Sequence, residues 1–187
     1  MPRTSTSPLL QQLIEGNQRY ASEKAVHPRQ GASKRLQTAQ KQTPFAVILG
    51  CADSRVSPEL IFDQGIGDLF VIRVAGQVAG PLELESLHFA VAQLGAPLVV
   101  VLGHEKCGAV SAVFNGQTEA IPELAAHIYP TLTPHHSLND AITAHVQHVV
   151  GTLKTHPLFT PLVDQNKLII TGGVYQLASG LVSFLSH

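Results

Sequence analysis

Only two cysteines occur in the chain, Cys51 and Cys107, and each stands among other reactive side chains. Cys51-Ala52-Asp53-Ser54-Arg55 offers a thiol, a carboxylate and a guanidinium within five residues. Gly103-His104-Glu105-Lys106-Cys107-Gly108 offers an imidazole and the second thiol. Two thiolates, one imidazole and one carboxylate form a four-ligand set that suits zinc. In Cys51-x-Asp53 the two side chains flank one residue of a turn and can face one point. In His104-x-x-Cys107 the spacing lets both ligands reach that point from a neighbouring loop. Singly, each residue has a plainer reading: a lone cysteine is commonly a small buried hydrophobe, and His104 is one of 10 histidines. That reading does not account for all four at once.

Arg55 lies two residues beyond Asp53, and a guanidinium can grip a carboxylate through two parallel hydrogen bonds. Held in this way, Asp53 leaves the metal and a fourth position opens for water, as in a catalytic zinc site. Without a metal, the same pair is a salt bridge at a turn.

Positioning these groups requires strands. Phe45–Gly50 precedes the first cluster and Leu98–Leu102 the second, both short apolar runs that read as buried parallel strands. Reactive side chains just past the carboxyl ends of such strands sit where open α/β sheets bind ligands. Leu69–Ile72 and Leu168–Gly172 read as two more strands, and Val174–Leu185 as an edge strand or hairpin through Ser179-Gly180. Helices are expected over Leu9–Tyr20, Ser33–Gln40, Pro58–Phe62, the Leu84–Leu94 stretch ending at Gly95, from Gly108 onward, and from Ser137 to Leu153. Pro58 suits an early helix position, Gly95 a left-handed helix end, and Ser137 with Asp140 a capping-box-like start. Arg73–Gln77 reads as a loop, and residues 115–134, with Pro122, Pro130 and Pro134, read as irregular. The pattern predicts an α/β fold: a mainly parallel sheet, four parallel strands plus an edge strand, flanked by helices.

The 187 residues suggest one domain over 1–187, with a helical arm over 1–42 and the metal-binding α/β core over 43–187. Charged residues make up 13%, against about 25% in ordinary soluble proteins, which favours burial of surface against further copies of the chain. A net charge of −1 gives no electrostatic case for nucleic acid. No apolar run approaches the roughly 18 residues of a membrane span, and Met1–Ser7 lacks the apolar centre of a secretory signal. Two cysteines 56 positions apart make no disulfide framework, so a cytoplasmic, thiol-reducing setting is expected.

Cys51-Ala52-Asp53-Ser54-Arg55-Val56, Asp68-Leu69-Phe70-Val71-Ile72-Arg73-Val74-Ala75-Gly76 and Gly103-His104-Glu105-Lys106-Cys107-Gly108-Ala109 resemble the signature segments of the β-class carbonic anhydrases. The similarity runs from Gly16-Asn17-Gln18-Arg19-Tyr20 to Leu177-Ala178-Ser179-Gly180. It implies zinc on Cys51, His104 and Cys107, with Asp53 or water as fourth ligand, Asp53–Arg55 as a catalytic dyad, and carbon dioxide and bicarbonate as substrates. It implies a homodimer or dimer of dimers, with the N-terminal helix arm on the neighbouring subunit. It further implies substrate contacts at Gln42, at Phe70 (from the partner chain), at Val74 and at the Gly108 N–H. With no tryptophan in the chain, the tryptophan-dependent bicarbonate lock of some relatives is ruled out, so Asp53 is expected to stay with Arg55. Gln77 and Gln176 replace the usual asparagine and aspartate, with effects expected on loop or interface geometry. His27, His127, His135 and His136 are proton relays by type only. The resemblance also admits hydrolysis of carbon disulfide or carbonyl sulfide on the same site. An inactive zinc-stabilised scaffold that binds a partner assembly is the other alternative, disfavoured because both Asp53 and Arg55 are present.

Overall fold

The computed structural model describes residues 7–132 and 137–185. Its apolar runs form a five-stranded sheet in the order β2-β1-β3-β4-β5, built from β1 (Ala46–Gly50), β2 (Leu69–Arg73), β3 (Leu98–His104), β4 (Ile169–Tyr175) and β5 (Val182–Phe184). The first four run parallel, and β5 returns antiparallel along β4. Both faces are covered, so β1 and β3 are buried along their whole length, the condition under which strands read as unbroken apolar runs. Val47, Leu49, Val99 and Val101 pack to one side with Leu87, Val146, Val149 and Leu153. Ala46, Ile48, Val100 and Leu102 pack to the other with Leu10, Leu13, Ile61 and Phe62.

Three helices do most of the covering. The helix α1 (Pro8–Ala21) buries Leu10, Leu13, Gly16 and Asn17, and α3 (Pro58–Ile61) lies beneath it. On the opposite face, α7 (Leu138–Thr155) lays Ile142, His145, Val146, Val149, Val150 and Leu153 on the sheet. Its start is capped as the sequence predicts: Ser137 Oγ accepts the Asp140 N–H at 3.2 Å. Close approach of α7 to β3 depends on Gly103, where a Cβ would stand 2.5 Å from Val146 Cγ2.

The apolar stripe of α1 packs on its own chain through Leu10 and Leu13, the latter fully enclosed, and leaves Leu9 and Ile14 partly buried. Asn17 Nδ2 donates to the carbonyls of Ile61 (3.1 Å) and Gly180 (2.8 Å), and its Oδ1 accepts the Val182 N–H at 2.8 Å. The part of the arm that stands off the core is α2 (Ala32–Thr38), which buries no residue and leaves Leu36 75% exposed.

The remaining helices are α4 (Pro81–His88), continued by a π-helical turn to Gln93, α5 (Gly108–Phe114), α6 (Pro122–Ile128) and α8 (Thr160–Asp164). The helix α6 and the 3₁₀ turn Tyr129–Thr131 occupy the stretch expected to be irregular. Pro134, His135 and His136 lie outside the described residues. No helix among the described residues is long and apolar enough to cross a membrane.

Candidate metal centre

The carboxyl ends of β1 and β3 are neighbours, since Gly50 pairs with Leu102, and this brings the two reactive segments together. Cys51 follows β1 directly. His104 is the last residue of β3, so the strand runs two residues further than its apolar run, with Gly103 and His104 paired to Val174 and Tyr175. Cys107 comes after a turn in which Lys106 takes a positive φ of 53°, and it caps α5. The ligand atoms of Cys51, His104 and Cys107 all lie within 4.8 Å of one another, and all three residues are buried.

The geometry can be tested against zinc. Two sulfurs each about 2.3 Å from a zinc at the tetrahedral angle stand about 3.8 Å apart. Here Cys51 Sγ and Cys107 Sγ are 3.9 Å apart. His104 Nδ1 lies 2.9 Å from the Glu105 carbonyl. A carbonyl can only accept, so Nδ1 carries the proton and Nε2 keeps its lone pair. Nε2 is buried and has no hydrogen-bond partner among the described residues. A lone pair left bare in a buried place beside two sulfurs fits a metal ion. The two thiols are also hydrogen-bonded to each other. The Cys51 thiol is pulled down by the Cys107 S–H, and Cys107 is pushed up by its hydrogen bond to Cys51 and by burial.

Asp53 stands at the rim of this group and is turned away from it. Arg55 donates from Nε to Oδ1 at 2.9 Å and from Nη2 to Oδ2 at 2.8 Å, and its backbone N–H adds a bond to Oδ1 at 2.9 Å. These bonds hold the carboxyl well below the usual carboxylate range. Oδ2 remains 3.9 Å from His104 Nε2.

Sequence reading missed the groups that hold this turn in place. Arg73, the last residue of β2, donates from Nε to the Cys51 carbonyl at 3.0 Å and from Nη2 to the Asp53 carbonyl at 2.6 Å. Glu105 Oε2 accepts the Leu177 N–H at 3.1 Å, fixing the segment after β3 to the hairpin that follows β4. The expected loop after β2 is a 3₁₀ turn, Ala75–Gln77. There the Gly76 N–H points at Cys51 Sγ, 3.4 Å away, and Gln77 is completely buried. Gln176 lies farther off, bonded to Ser179 and Ser183.

Of the residues expected to meet substrate, Val74 and Gly108 are at the group. The Val74 carbonyl accepts the Ala52 N–H, and its side chain packs on the cluster that contains both cysteines. Gly108 follows Cys107 and is open to solvent, with nothing within 4 Å of a Cβ built on it. The fold does not bring Gln42 and Phe70 to the group within one chain. Phe70 pairs with Val47, four residues before Cys51, which is about 13 Å along a strand. Gln42 precedes β1, at the opposite end of the sheet. It lines an open groove of about 720 Å³ with Thr38, Ile66, Leu69 and Leu94.

A parallel sheet that presents two cysteines, a histidine and an Asp–Arg pair at adjacent strand ends defines a metalloenzyme-type centre. The comparisons with known proteins specify it. Residues 46–182 match the family model described as carbonic anhydrase. Carbonic anhydrase 2 of Mycobacterium tuberculosis is 50% identical, over 100% of this chain and 96% of its own length. The carbonic anhydrase of Mycolicibacterium smegmatis is 35% identical, over 100% and 97%. The Coccomyxa β-carbonic anhydrase in complex with acetazolamide superposes with a TM-score of 0.73 at 26% identity, covering 98% of this chain and 87% of that one. The chain belongs to the carbonic anhydrase family, in its β class.

Proposed function

We propose that the chain catalyses the reversible hydration of carbon dioxide to bicarbonate and a proton, with one zinc held by Cys51, His104 and Cys107. The observation that carries this reading is the convergence of two thiols and a bare imidazole lone pair beside an Asp53 whose oxygens are both engaged by Arg55. Zinc, when bound, supplies a Lewis acid that brings the pKa of water toward the physiological range.

The chain's own residues do the rest. Asp53 stays ionised across the physiological range, because its pairing with Arg55 depresses its pKa. It therefore acts as a fixed hydrogen-bond acceptor that orients the attacking oxygen, and not as a store for the proton. Arg55 keeps the carboxylate from closing onto the metal position. Val74 gives an apolar wall to a substrate that has no dipole, and the Gly108 N–H faces the oxygen that gains charge as carbon dioxide bends. Gln42 and Phe70 complete the cleft from a second copy, so the working unit is a homodimer or a dimer of dimers. Half-exposed β2 at the sheet edge and the unburied α2 are surfaces suited to that copy. Free thiols at the centre of the site fit a reducing, cytoplasmic setting.

Stopped-flow hydration of carbon dioxide by protein as isolated, stripped by chelator and restored with zinc tests the proposal. The expected result is about one zinc per chain, activity lost with the metal and regained with it. A fully zinc-loaded protein with no hydration above the uncatalysed rate overturns it.

A further inference from the structure

His145 occupies an unusual place for an imidazole: the buried stripe of α7, with no solvent exposure. Its Nε2 lies 2.8 Å from the Gly76 carbonyl. Since that oxygen can only accept, Nε2 carries the proton. Nδ1 lies 3.4 Å from Thr131 Oγ1. Burial pushes the imidazole below its ordinary pKa, and the nearby His148 and His127 push it the same way, so the ring stays in its neutral, single-donor form.

Gly76 is the connection to the metal group. Its carbonyl is held by His145, and its N–H is the one directed at Cys51 Sγ. Its backbone is left-handed, with φ at +72°, and a Cβ there would stand 3.0 Å from Ile128 Cδ1 and 3.3 Å from Ala109 Cβ. One residue is thus fixed from two sides, by an apolar wall and by a ring set in the buried stripe of an 18-residue helix.

We propose that His145 is a positioning residue for the metal centre: by anchoring the Gly76 carbonyl it keeps the Gly76 N–H directed at Cys51 Sγ. This rests on the reading of Cys51 as a metal ligand. A backbone N–H aimed at a ligating sulfur orients the thiolate and withdraws charge from it, which sets how firmly and with what electronic character it binds a metal. Space filling alone would not do this, and the two roles separate experimentally.

The test uses the full chain loaded with cobalt(II), whose thiolate-to-metal absorption reports the sulfur directly. Wild type, His145→Leu, His145→Gln and Gly76→Ala are compared for that absorption and for the rate of metal release to excess chelator. His145→Leu moves the band to longer wavelength and releases metal roughly 10–100-fold faster, the scale of lost outer contacts at metal sites. His145→Gln, with an amide nitrogen to place where Nε2 stood, returns both toward wild type. Gly76→Ala reproduces the Leu behaviour with His145 intact. A folded His145→Leu with the wild-type band and release rate overturns the inference, as does a Gln variant as disturbed as the Leu variant. If the Leu variant does not fold, a wild-type band and rate in Gly76→Ala overturns it. A wild-type protein with no thiolate band overturns the metal reading itself, and this inference with it.

Discussion

The two ends of the sheet differ in how finished they are. At the carboxyl ends of β1 and β3 the three candidate ligand residues are buried, and the groups there are held by neighbours: Cys51 by Arg73 and Gly76, His104 by Glu105, Asp53 by Arg55. At the amino ends, α2 buries nothing and Gln42 lines an open groove, and the edge strand β2 is only half-buried. A chain folds one half of a site to completion when the ligands must be rigid. On the function proposed above, the other half is left as surface for a second copy to complete.

The sharpest break falls at the finished end. Cys107→Ala is expected to lose its metal and fall to background activity, with a lower melting temperature because the ligands tie two strand ends together. Elemental analysis decides it, and full zinc content contradicts the ligand assignment. Arg55→Ala is expected to keep the metal and lose roughly 10²–10³-fold in kcat, the scale of a preorganised electrostatic group. Metal content and stopped flow together check both halves of that statement.

The unfinished end is probed by mixing. Phe70→Arg and Arg55→Ala are each expected to be strongly impaired alone, and co-expressed they are expected to recover activity. A mixed dimer holds one site with its own Arg55 and a partner's Phe70. Absence of recovery in a verified heterodimer would place Phe70 within its own chain's site and remove the contrast. Leu13→Ala is expected to destabilise by about 2–5 kcal/mol, as for a buried leucine, whereas Leu36→Ala is expected to be near neutral in a dilute monomer. Denaturant titrations read both. The smallest effect is a pH effect. The His145 pKa is depressed in the fold, so its contribution to stability is full above the ordinary value of 6.5 and is lost as pH falls below it. Melting temperatures between pH 7 and pH 5 are expected to fall less steeply in His145→Gln than in wild type.

Much of the finished end was legible in the sequence, because buried parallel strands leave unbroken apolar runs and both cysteines follow such runs. His104 was placed beyond the strand that it ends: β3 continues two residues, through Gly103-His104, on the strength of pairing to β4, and the sequence shows no apolar residue there to signal it. Helix α6 was lost because Pro122 reads as a breaker, although it stands in the first turn, where its missing N–H costs nothing. The seat of α1 on its own chain was not legible, because an apolar stripe states that it will be covered, not by what. His145 could have been found. It falls three residues after Ile142 and four before Val149, on the stripe that defined α7, and a histidine on such a stripe needs a buried partner.

Asn17 joins α1 to carbonyl and N–H groups at Gly180 and Val182, 163 and 165 residues away. During synthesis the first helix therefore leaves the ribosome long before its clamp exists. Loop 61–64 reaches it early, but the final bonds form only when the last strand has been translated. For most of that interval Leu10 and Leu13 belong to a helix without its full seat, and apolar surface exposed in this way invites misassembly. The first helix made is the last to be locked, and a nascent chain stalled before residue 180 should expose it to protease or chaperone while a released one should not.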